Sequence, residues 1–190
     1  LTKSGQGVLE LSAANTYTGG TVLAAGGLVG VQNTAFGTGQ IMIGTTTDTT
    51  AGDSHLRMTF NGTSLANNLK VGNMNSEGVS TVYLTGASVS LSGGMEISRV
   101  AGMNLAIVSA SGASVALQGA ISGPGGFTVR GGGTITVSGV NSYGGLTGGA
   151  GAAVNGGTVV RSGSLQIASA SALGASTTIE LGDATYSHAN

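Results

Sequence analysis

The stretch that decides the fold is Leu1–Tyr17, LTKSGQGVLELSAANTY, because a near-copy, FTVRGGGTITVSGVNSY, recurs at Phe127–Tyr143. The two stretches align without a gap. A second matching block follows each copy, at Thr21–Gly37 and at Thr158–Gly174. Internal repeats of this length are typical of chains that bury their apolar residues by stacking similar units. The positions that define the repeat are Lys3, Gly5, Gly7, Leu9, Leu11, Asn15 and Tyr17 in the first copy, and Gly131, Gly133, Ile135, Val137, Asn141 and Tyr143 in the second.

The second copy departs from the first in two places. Val129 stands where the first copy has Lys3, and a Gly/Ala-rich insertion near Leu146–Gly157 precedes Thr158. We predict one β-helical domain over 1–190, with repeat copies at about 1–44 and 121–182 and intervening coils over 45–120. Because Leu1 begins in the middle of a repeat, we expect this domain to be a piece of a longer rod.

Short segments of alternating apolar and polar residues recur along the chain. This period of two places one face of a strand inward and the other outward. Most of the segments end at a turn that contains Gly or Asn. The segment Ala168–Leu173 is expected to form one helical turn at most. The alternation predicts strands at Val8–Leu11, Gln40–Ile43, His55–Phe60, Thr81–Leu84, Ser88–Leu91, Met95–Ile97, Ser114–Leu117, Thr134–Val137, Ser164–Ile167 and Thr178–Leu181.

Two all-β architectures fit this pattern. A sandwich or barrel uses large aromatic side chains to fill the space between its sheets, but aromatic residues make up only 4% of this chain. A parallel β-helix has a narrow core of small and branched side chains, with Gly and Asn at its corners. The repeat and the small inward residues favour a right-handed parallel β-helix. Coils of ~20–25 residues would then give about eight turns.

The composition excludes several functional classes. Lys and Arg number 6, Asp and Glu 7, and the net charge is −1, so no basic surface for nucleic acid or an anionic membrane is expected. Cysteine is absent, which rules out disulfides and thiolate metal sites. No apolar run approaches the ~18 residues that a membrane-spanning helix needs. We therefore predict no transmembrane segment.

Candidate catalytic groups are few. Asp53 and His55, with Asp48 nearby, could form a polar cluster for a metal or for proton transfer. We interpret them as part of a solvated loop that leads into a strand. Asp183 and His188 lie in a polar tail. The acidic residues form no cluster of the kind that binds calcium. We predict no enzyme, no metal and no cofactor.

Two equivalent pairs of polar residues are interpreted as structural. Asn15 and Asn141 have side chains that can bond to the backbone at a turn. Tyr17 and Tyr143 are expected to pack beside these asparagines on the surface of the coil.

The first copy continues as L-T-K-S-G-Q-G-V-L-E-L-S-A-A-N-T-Y-T-G-G-T, which closely resembles the passenger-associated transport repeat of autotransporters. Lys3, Gly5, Gly7, Leu9, Leu11, Ser12, Asn15, Tyr17, Gly19, Gly20 and Thr21 match the pattern of that family. The lead-in to the second copy, Ile121–Thr128, is similar to the family's I-S-G-x-G-G-L segment. The segment Thr45–Ala120 resembles the family only in its alternation of strands and turns.

This resemblance implies a β-helical passenger of a type V secretion protein from a Gram-negative bacterium. The partner that it implies is a carboxy-terminal outer-membrane β-barrel translocator, and the implied location is extracellular, either attached to the outer membrane or released. The expected function is a non-catalytic stalk that promotes folding and export of the passenger.

An alternative reading is an adhesin that binds host protein, glycan or a neighbouring copy. The loops Thr45–Ser54 and Leu146–Gly157, or one flank of the rod, would carry that binding. A third reading is part of a toxin or hydrolase passenger.

Overall fold

The computed structural model describes residues 1–44, 57–72, 80–98, 105–144, 157–174 and 179–182. Every regular element in these ranges is a β-strand, and no helix occurs in them. The strands are β1 Thr2–Lys3, β2 Val8–Leu11, β3 Thr21–Leu23, β4 Gly27–Gly30, β5 Ile41–Ile43, β6 Arg57–Phe60, β7 Ser64–Leu65, β8 Leu69–Val71, β9 Thr81–Leu84, β10 Ser88–Leu91, β11 Met95–Ile97, β12 Leu105–Ser109, β13 Ser114–Leu117, β14 Ile121–Ser122, β15 Phe127–Gly131, β16 Thr134–Val137, β17 Thr158–Val160, β18 Ser164–Ile167 and β19 Ile179–Leu181.

These strands form three sheets in which all neighbours are parallel. Sheet A has the order β1-β3-β5-β8-β11-β14, and sheet C has the order β18-β16-β13-β10-β7. Sheet B contains eight strands in the order β19-β17-β15-β12-β9-β6-β4-β2. Each inner strand pairs with strands of the preceding and following turns of the chain, so the architecture is a parallel β-solenoid.

The chain visits the sheets in a fixed sequence. From β5 to β16 it passes through sheet A, sheet B and sheet C in turn. The first two coils place strands only in sheets A and B, and their third sides are formed by residues 12–20 and 31–40. The eight strands of sheet B mark eight coils, in agreement with the predicted number. The right-handed winding stays a prediction.

The core consists of columns of apolar side chains that stack along the rod. In sheet B one column contains Leu28, Met58, Val82, Ile107 and Val129, and each of these side chains is fully buried. Burial of such a side chain contributes about 1.5–3 kcal/mol. Because the register is parallel and unbroken, each coil buries its inward residues against the coils before and after it. The sandwich and barrel alternatives are therefore wrong.

The predicted strands agree with the observed ones wherever alternation is sustained. Thr81–Leu84 and Thr134–Val137, for example, have the predicted bounds. Some missed strands are short or begin with glycine, as at Thr21–Leu23 and Gly27–Gly30. The two longest strands, Leu105–Ser109 and Phe127–Gly131, were also missed, because three consecutive residues of each are buried and no alternation marks them. The segment Ala168–Leu173 forms hydrogen-bonded turns, with Ala172 N donating to Ser169 O at 3.2 Å.

Glycines line the corner between sheet C and sheet A. Gly93, Gly119 and Gly139 occupy this corner in three successive coils. A Cβ on Gly119 would lie only 2.0 Å from the carbonyl oxygen of Gly93, and a Cβ on Gly139 would lie 2.5 Å from that of Gly119. The spacing of the coils leaves no room for a side chain there.

We expect Gly119→Ala to lower the free energy of unfolding by about 1–3 kcal/mol, because the added methyl forces neighbouring coils apart. Urea unfolding followed by circular dichroism measures this. Gly7→Ala is the matched control, since a Cβ there has nothing within 4 Å. Its effect should stay within about 0.5 kcal/mol. Equal effects of the two substitutions would contradict the steric explanation.

Candidate functional site

In the first copy, three side chains join one coil to the next. Asn15 donates from its side-chain amide to Ala35 O at 2.7 Å, and from its backbone to Thr34 O at 3.1 Å. The hydroxyls of Tyr17 and Thr21 lie 2.7 Å apart, and Thr21 Oγ1 donates to the carbonyl oxygen of Phe36 at 3.0 Å. Because the Thr21 hydroxyl donates its hydrogen to the Phe36 carbonyl oxygen, the Tyr17 hydroxyl is the donor in the Tyr17–Thr21 hydrogen bond. We call this Asn, Tyr and Thr set the repeat corner.

The second copy reproduces the repeat corner. Asn141 donates from its side-chain amide to Ala172 O at 2.6 Å, and from its backbone to Ser171 O at 3.0 Å. The hydroxyls of Tyr143 and Thr158 lie 2.7 Å apart. The Gly/Ala-rich insertion falls between these two residues, so it leaves the repeat corner intact.

Asn141 makes one contact that Asn15 lacks, whereas the Asn15 amide also donates to Ala13 O at 3.2 Å. The Oδ1 of Asn141 accepts a hydrogen bond from the backbone N–H of Ile121 at 2.7 Å, and this bond is buried. Ile121 belongs to the preceding coil and Ala172 to the following one. A single amide side chain therefore ties three successive coils together.

Each repeat corner packs against a glycine of the next coil. Gly37 and Gly174 have φ values of +68° and +63°, a conformation that favours glycine. A Cβ on Gly37 would lie 2.4 Å from the carbonyl oxygen of Tyr17. A Cβ on Gly174 would lie 2.9 Å from the backbone nitrogen of Tyr143. The tyrosine and the glycine thus fit together in both copies.

The prediction that both tyrosines pack on the coil surface is wrong for Tyr143. Its side chain is fully buried, and its ring centroid lies 5.2 Å from that of Phe127. Burial raises the pKa of the Tyr143 hydroxyl, and the hydrogen bond with Thr158 opposes this rise in part. Tyr17, in the first coil, is half-buried. Tyr143 has a packing partner from β15 that sequence alternation alone did not indicate.

Lys3 occupies an inward position of sheet A, in register with Leu23. Its stem is buried and its ammonium group donates to the carbonyl oxygens of Ser4, Gly5 and Ala25, at 3.0, 2.6 and 3.2 Å. In the second copy Val129 takes the equivalent inward position and is fully buried. A valine fits there because the site is part of the apolar core.

The remaining repeat residues include two apolar pairs, one on β2 and one on β16. Ile135 and Val137 are fully buried, whereas Leu9 and Leu11 pack partly exposed against the core in the first coil. Gly5 and Gly131 both have positive φ, of 77° and 101°. Gly5 lies just after β1, and Gly131 is the last residue of β15. Gly7 and Gly133 directly precede β2 and β16.

The two copies lie on different faces of the solenoid. The first, third and fifth strands of copy one, β1, β3 and β5, are in sheet A, and their counterparts β15, β17 and β19 are in sheet B. Strands β2 and β4 are in sheet B, and their counterparts β16 and β18 are in sheet C. The repeat is therefore a unit of two coils that can begin on more than one face.

The structure brings together no catalytic constellation among the residues that it describes. Asp48, Asp53, His55, Asp183 and His188 lie outside those residues. Within the described ranges, no group of three or more His, Asp or Glu side chains could hold a metal ion. Both predicted binding loops, Thr45–Ser54 and Leu146–Gly157, also lie outside them, apart from Gly157 itself.

Sequence reasoning did not identify one ion pair on the outer face of sheet A. Lys70 Nζ lies 2.9 Å from Glu96 Oε1, and Ser98 donates to the same oxygen at 2.6 Å. The bonds from Ser98 and Lys70 lower the pKa of Glu96. Both side chains of the pair are partly exposed, so their contribution to stability is small.

Comparison with known families gives one match. Residues 1–29 match the passenger-associated-transport-repeat family. This match confirms the resemblance that the first copy indicates. The family is a structural repeat rather than a catalytic one. No curated protein and no solved structure matches the chain. The described residues contain no helix that is long and apolar enough to cross a membrane.

We expect Asn141→Ala to destabilise the fold by about 2–4 kcal/mol, because it leaves the Ile121 N–H and the Ala172 C=O buried without partners. Asn15→Ala removes a half-exposed side chain with no bond to an earlier coil and should cost only about 1 kcal/mol. Urea unfolding of both variants tests the difference. Equal losses would show that the hydrogen bond from Ile121 N–H to Asn141 Oδ1 adds nothing to the stability of the fold.

A second prediction concerns alkaline pH. The pKa of Tyr143 is higher in the folded chain than in the unfolded one, so its contribution to stability is complete below the unfolded pKa, near ~10. That contribution is lost as the pH rises through the folded pKa. Tyr143→Phe should therefore lose less stability between pH 8 and pH 11 than the parent chain does. Urea unfolding at both pH values measures this, and identical losses would contradict it.

Proposed function

We propose that this chain is a stalk segment of an autotransporter passenger whose repeats promote coil-by-coil folding and export across the outer membrane. The single observation that carries the proposal is the repeat corner, whose Asn–Ala and Tyr–Thr bonds occur in both copies. The first copy lies within the residues that match the passenger-associated-transport-repeat family. Its partner in export would be a carboxy-terminal β-barrel translocator of the same protein, and its location the cell surface or the surrounding medium.

The geometry supports a role in folding because the bonds of the repeat corner run from one coil to the next. Asn15 and Asn141 bond to Ala35 and Ala172, which follow them in the chain by one coil. In solenoids each unit is stabilised mainly by its neighbours, so folding propagates along the rod. A coil that folds outside the cell and cannot easily unfold would hinder backward movement of the chain.

Adhesion is the second candidate function, and one observation favours it. The outer face of sheet C carries no charged side chain, in contrast to sheets A and B. A toxin-like or hydrolytic role has no support from the described residues.

The export role can be tested by removing whole coils in register from the parent protein. Deleting residues 127–178 removes two coils of the second copy and brings β19 into the place of β15, since Phe127, Thr158 and Ile179 share one register position. Deleting residues 69–120 removes two coils without a repeat corner and has the same length. Here Ile121 takes the place of Leu69.

We expect the 127–178 deletion to reduce surface display and to leave passenger in the periplasm. The 69–120 deletion should be displayed at nearly the parent level. Protease treatment of intact cells and immunoblots of cell fractions score both variants. If both are displayed equally, the repeat has no special role in export and the proposal is wrong.

A further inference from the structure

Cationic side chains gather on the outer face of sheet B. Of the five Lys and Arg residues that the structure describes, three are arginines associated with this sheet. The two lysines lie in sheet A, where Lys3 takes an inward position and Lys70 pairs with Glu96. A chain with so few charges thus places three of one sign, and of one residue type, along a single sheet. These arginines are Arg57 in β6, Arg130 in β15 and Arg161 directly after β17.

Two of the arginines are neighbours in register. Arg130 pairs with Val108, which in turn pairs with Tyr83, in one outward column of sheet B. Arg161 N donates to Val129 O at 3.1 Å, which continues the parallel ladder by one residue and sets Arg161 beside Arg130. The two positions are one rung, ~4.8 Å, apart. Guanidinium groups so placed can both bond to one anionic group that lies between them.

A cation–π contact brings the third arginine into the same column. Arg57 belongs to the other outward column of sheet B, in register with Thr81. Its guanidinium carbon lies 4.1 Å from the centroid of the Tyr83 ring, on the next strand along the rod. The charge of Arg57 is therefore held over the Tyr83 position, two rungs or about 10 Å from Arg130. The three guanidinium groups follow one line along the rod, which we call the arginine line.

The acidic residues of sheet B lie at its two ends. Glu10 belongs to β2 and Glu180 to β19, the outermost strands of the sheet. The six strands between them, from β4 to β17, contain no Asp or Glu. They extend over about 24 Å of the rod. A polyanion that lies on these inner strands meets positive charge without meeting a carboxylate of the same sheet.

We propose that the outer face of sheet B binds a linear polysaccharide that carries sulfate or carboxylate groups and lies along the arginine line. Arginine presents its N–H donors in a planar fork that fits such oxyanions. Stacking on Tyr83 holds Arg57 in place, so less side-chain entropy is lost when Arg57 binds a ligand. Arg57 and Arg130 are exposed, and neither forms an ion pair with another described residue.

Other anionic partners fit this face less well. Single-stranded nucleic acids stack their bases on open aromatic rings, but Arg57 covers one side of the Tyr83 ring. A net charge of −1 also gives no general attraction for nucleic acid. An anionic membrane attracts clusters of about 4–8 basic residues, and the arginine line has three. The choice of a polysaccharide rests on the proposed function, because that function places the rod outside the cell.

The test measures binding of the purified chain to immobilised heparin, a sulfated polysaccharide, by surface plasmon resonance. Low salt is used because salt screens exposed charges. Arg57→Gln and Arg130→Gln should each lower the affinity about fivefold. The double variant should lower it about twentyfold, since the two groups are far enough apart to act independently. Arg130→Lys should lose less affinity than Arg130→Gln, because it keeps the charge without the planar fork.

Lys70→Gln is the matched control, because it removes the same charge from the outer face of sheet A. Its affinity for heparin should equal that of the parent chain, and circular dichroism should show that every variant is folded. An equal loss with Lys70→Gln, or a parent chain that does not bind heparin, would overturn the proposal. So would tighter binding of single-stranded DNA of equal total charge, which would indicate a nucleic-acid partner. Export is not involved in this assay, so a failure of the export proposal leaves its result unaffected.

Discussion

The structure depends on the spacing of its backbone rungs. Parallel strands that pair in register stand ~4.8 Å apart, and every coil must repeat this distance at its strands and at its corners. This explains why Gly93, Gly119 and Gly139 follow one another at one corner, where each Cβ would strike the carbonyl of the coil below. It also explains the core, in which like residues stack into columns because each inward position lies directly over its equivalent. Residue choice at both places follows from this one distance.

The same constraint explains how the repeat can change face. The bonds of the repeat corner run between adjacent coils, from Asn15 to Ala35 and from Asn141 to Ala172, and involve no contact specific to one sheet. A two-coil repeat unit that is held by bonds between adjacent coils can therefore stack on any coil whose strands are free to pair with its own. The intervening residues do not add up to whole coils, so the second copy begins in sheet B where the first begins in sheet A. The insertion before Thr158 is tolerated for the same reason, since the Tyr143–Thr158 bond closes beside it.

Much of the fold could be predicted from the sequence, because an alternation of two residues directly reflects which side of a strand faces the core. It found β9, β10 and β16 with their observed bounds. It missed β3 and β17, which are only three residues long and begin with a buried threonine. The corner bond that holds those threonines was also missed, because no residue pattern marks a Tyr–Thr contact, and in the second copy an insertion separates the two residues. Which face each copy occupies depends on the summed lengths of all earlier coils, and small errors in each coil length add up.

Charged side chains are distributed unequally over the three sheets. A rod with so few charged side chains must keep its surfaces soluble mainly with hydroxyls and amides, and such groups can bond to a neighbour as well as to water. On sheet A, Lys70 and Glu96 neutralise each other, and on sheet B, Arg57 lies over the ring of Tyr83 at 4.1 Å. Sheet C has no such charged residues to discourage pairing with another sheet. A face that needed only solubility could carry them as the other two do, so their absence from all five strands distinguishes the outer face of sheet C from the other two.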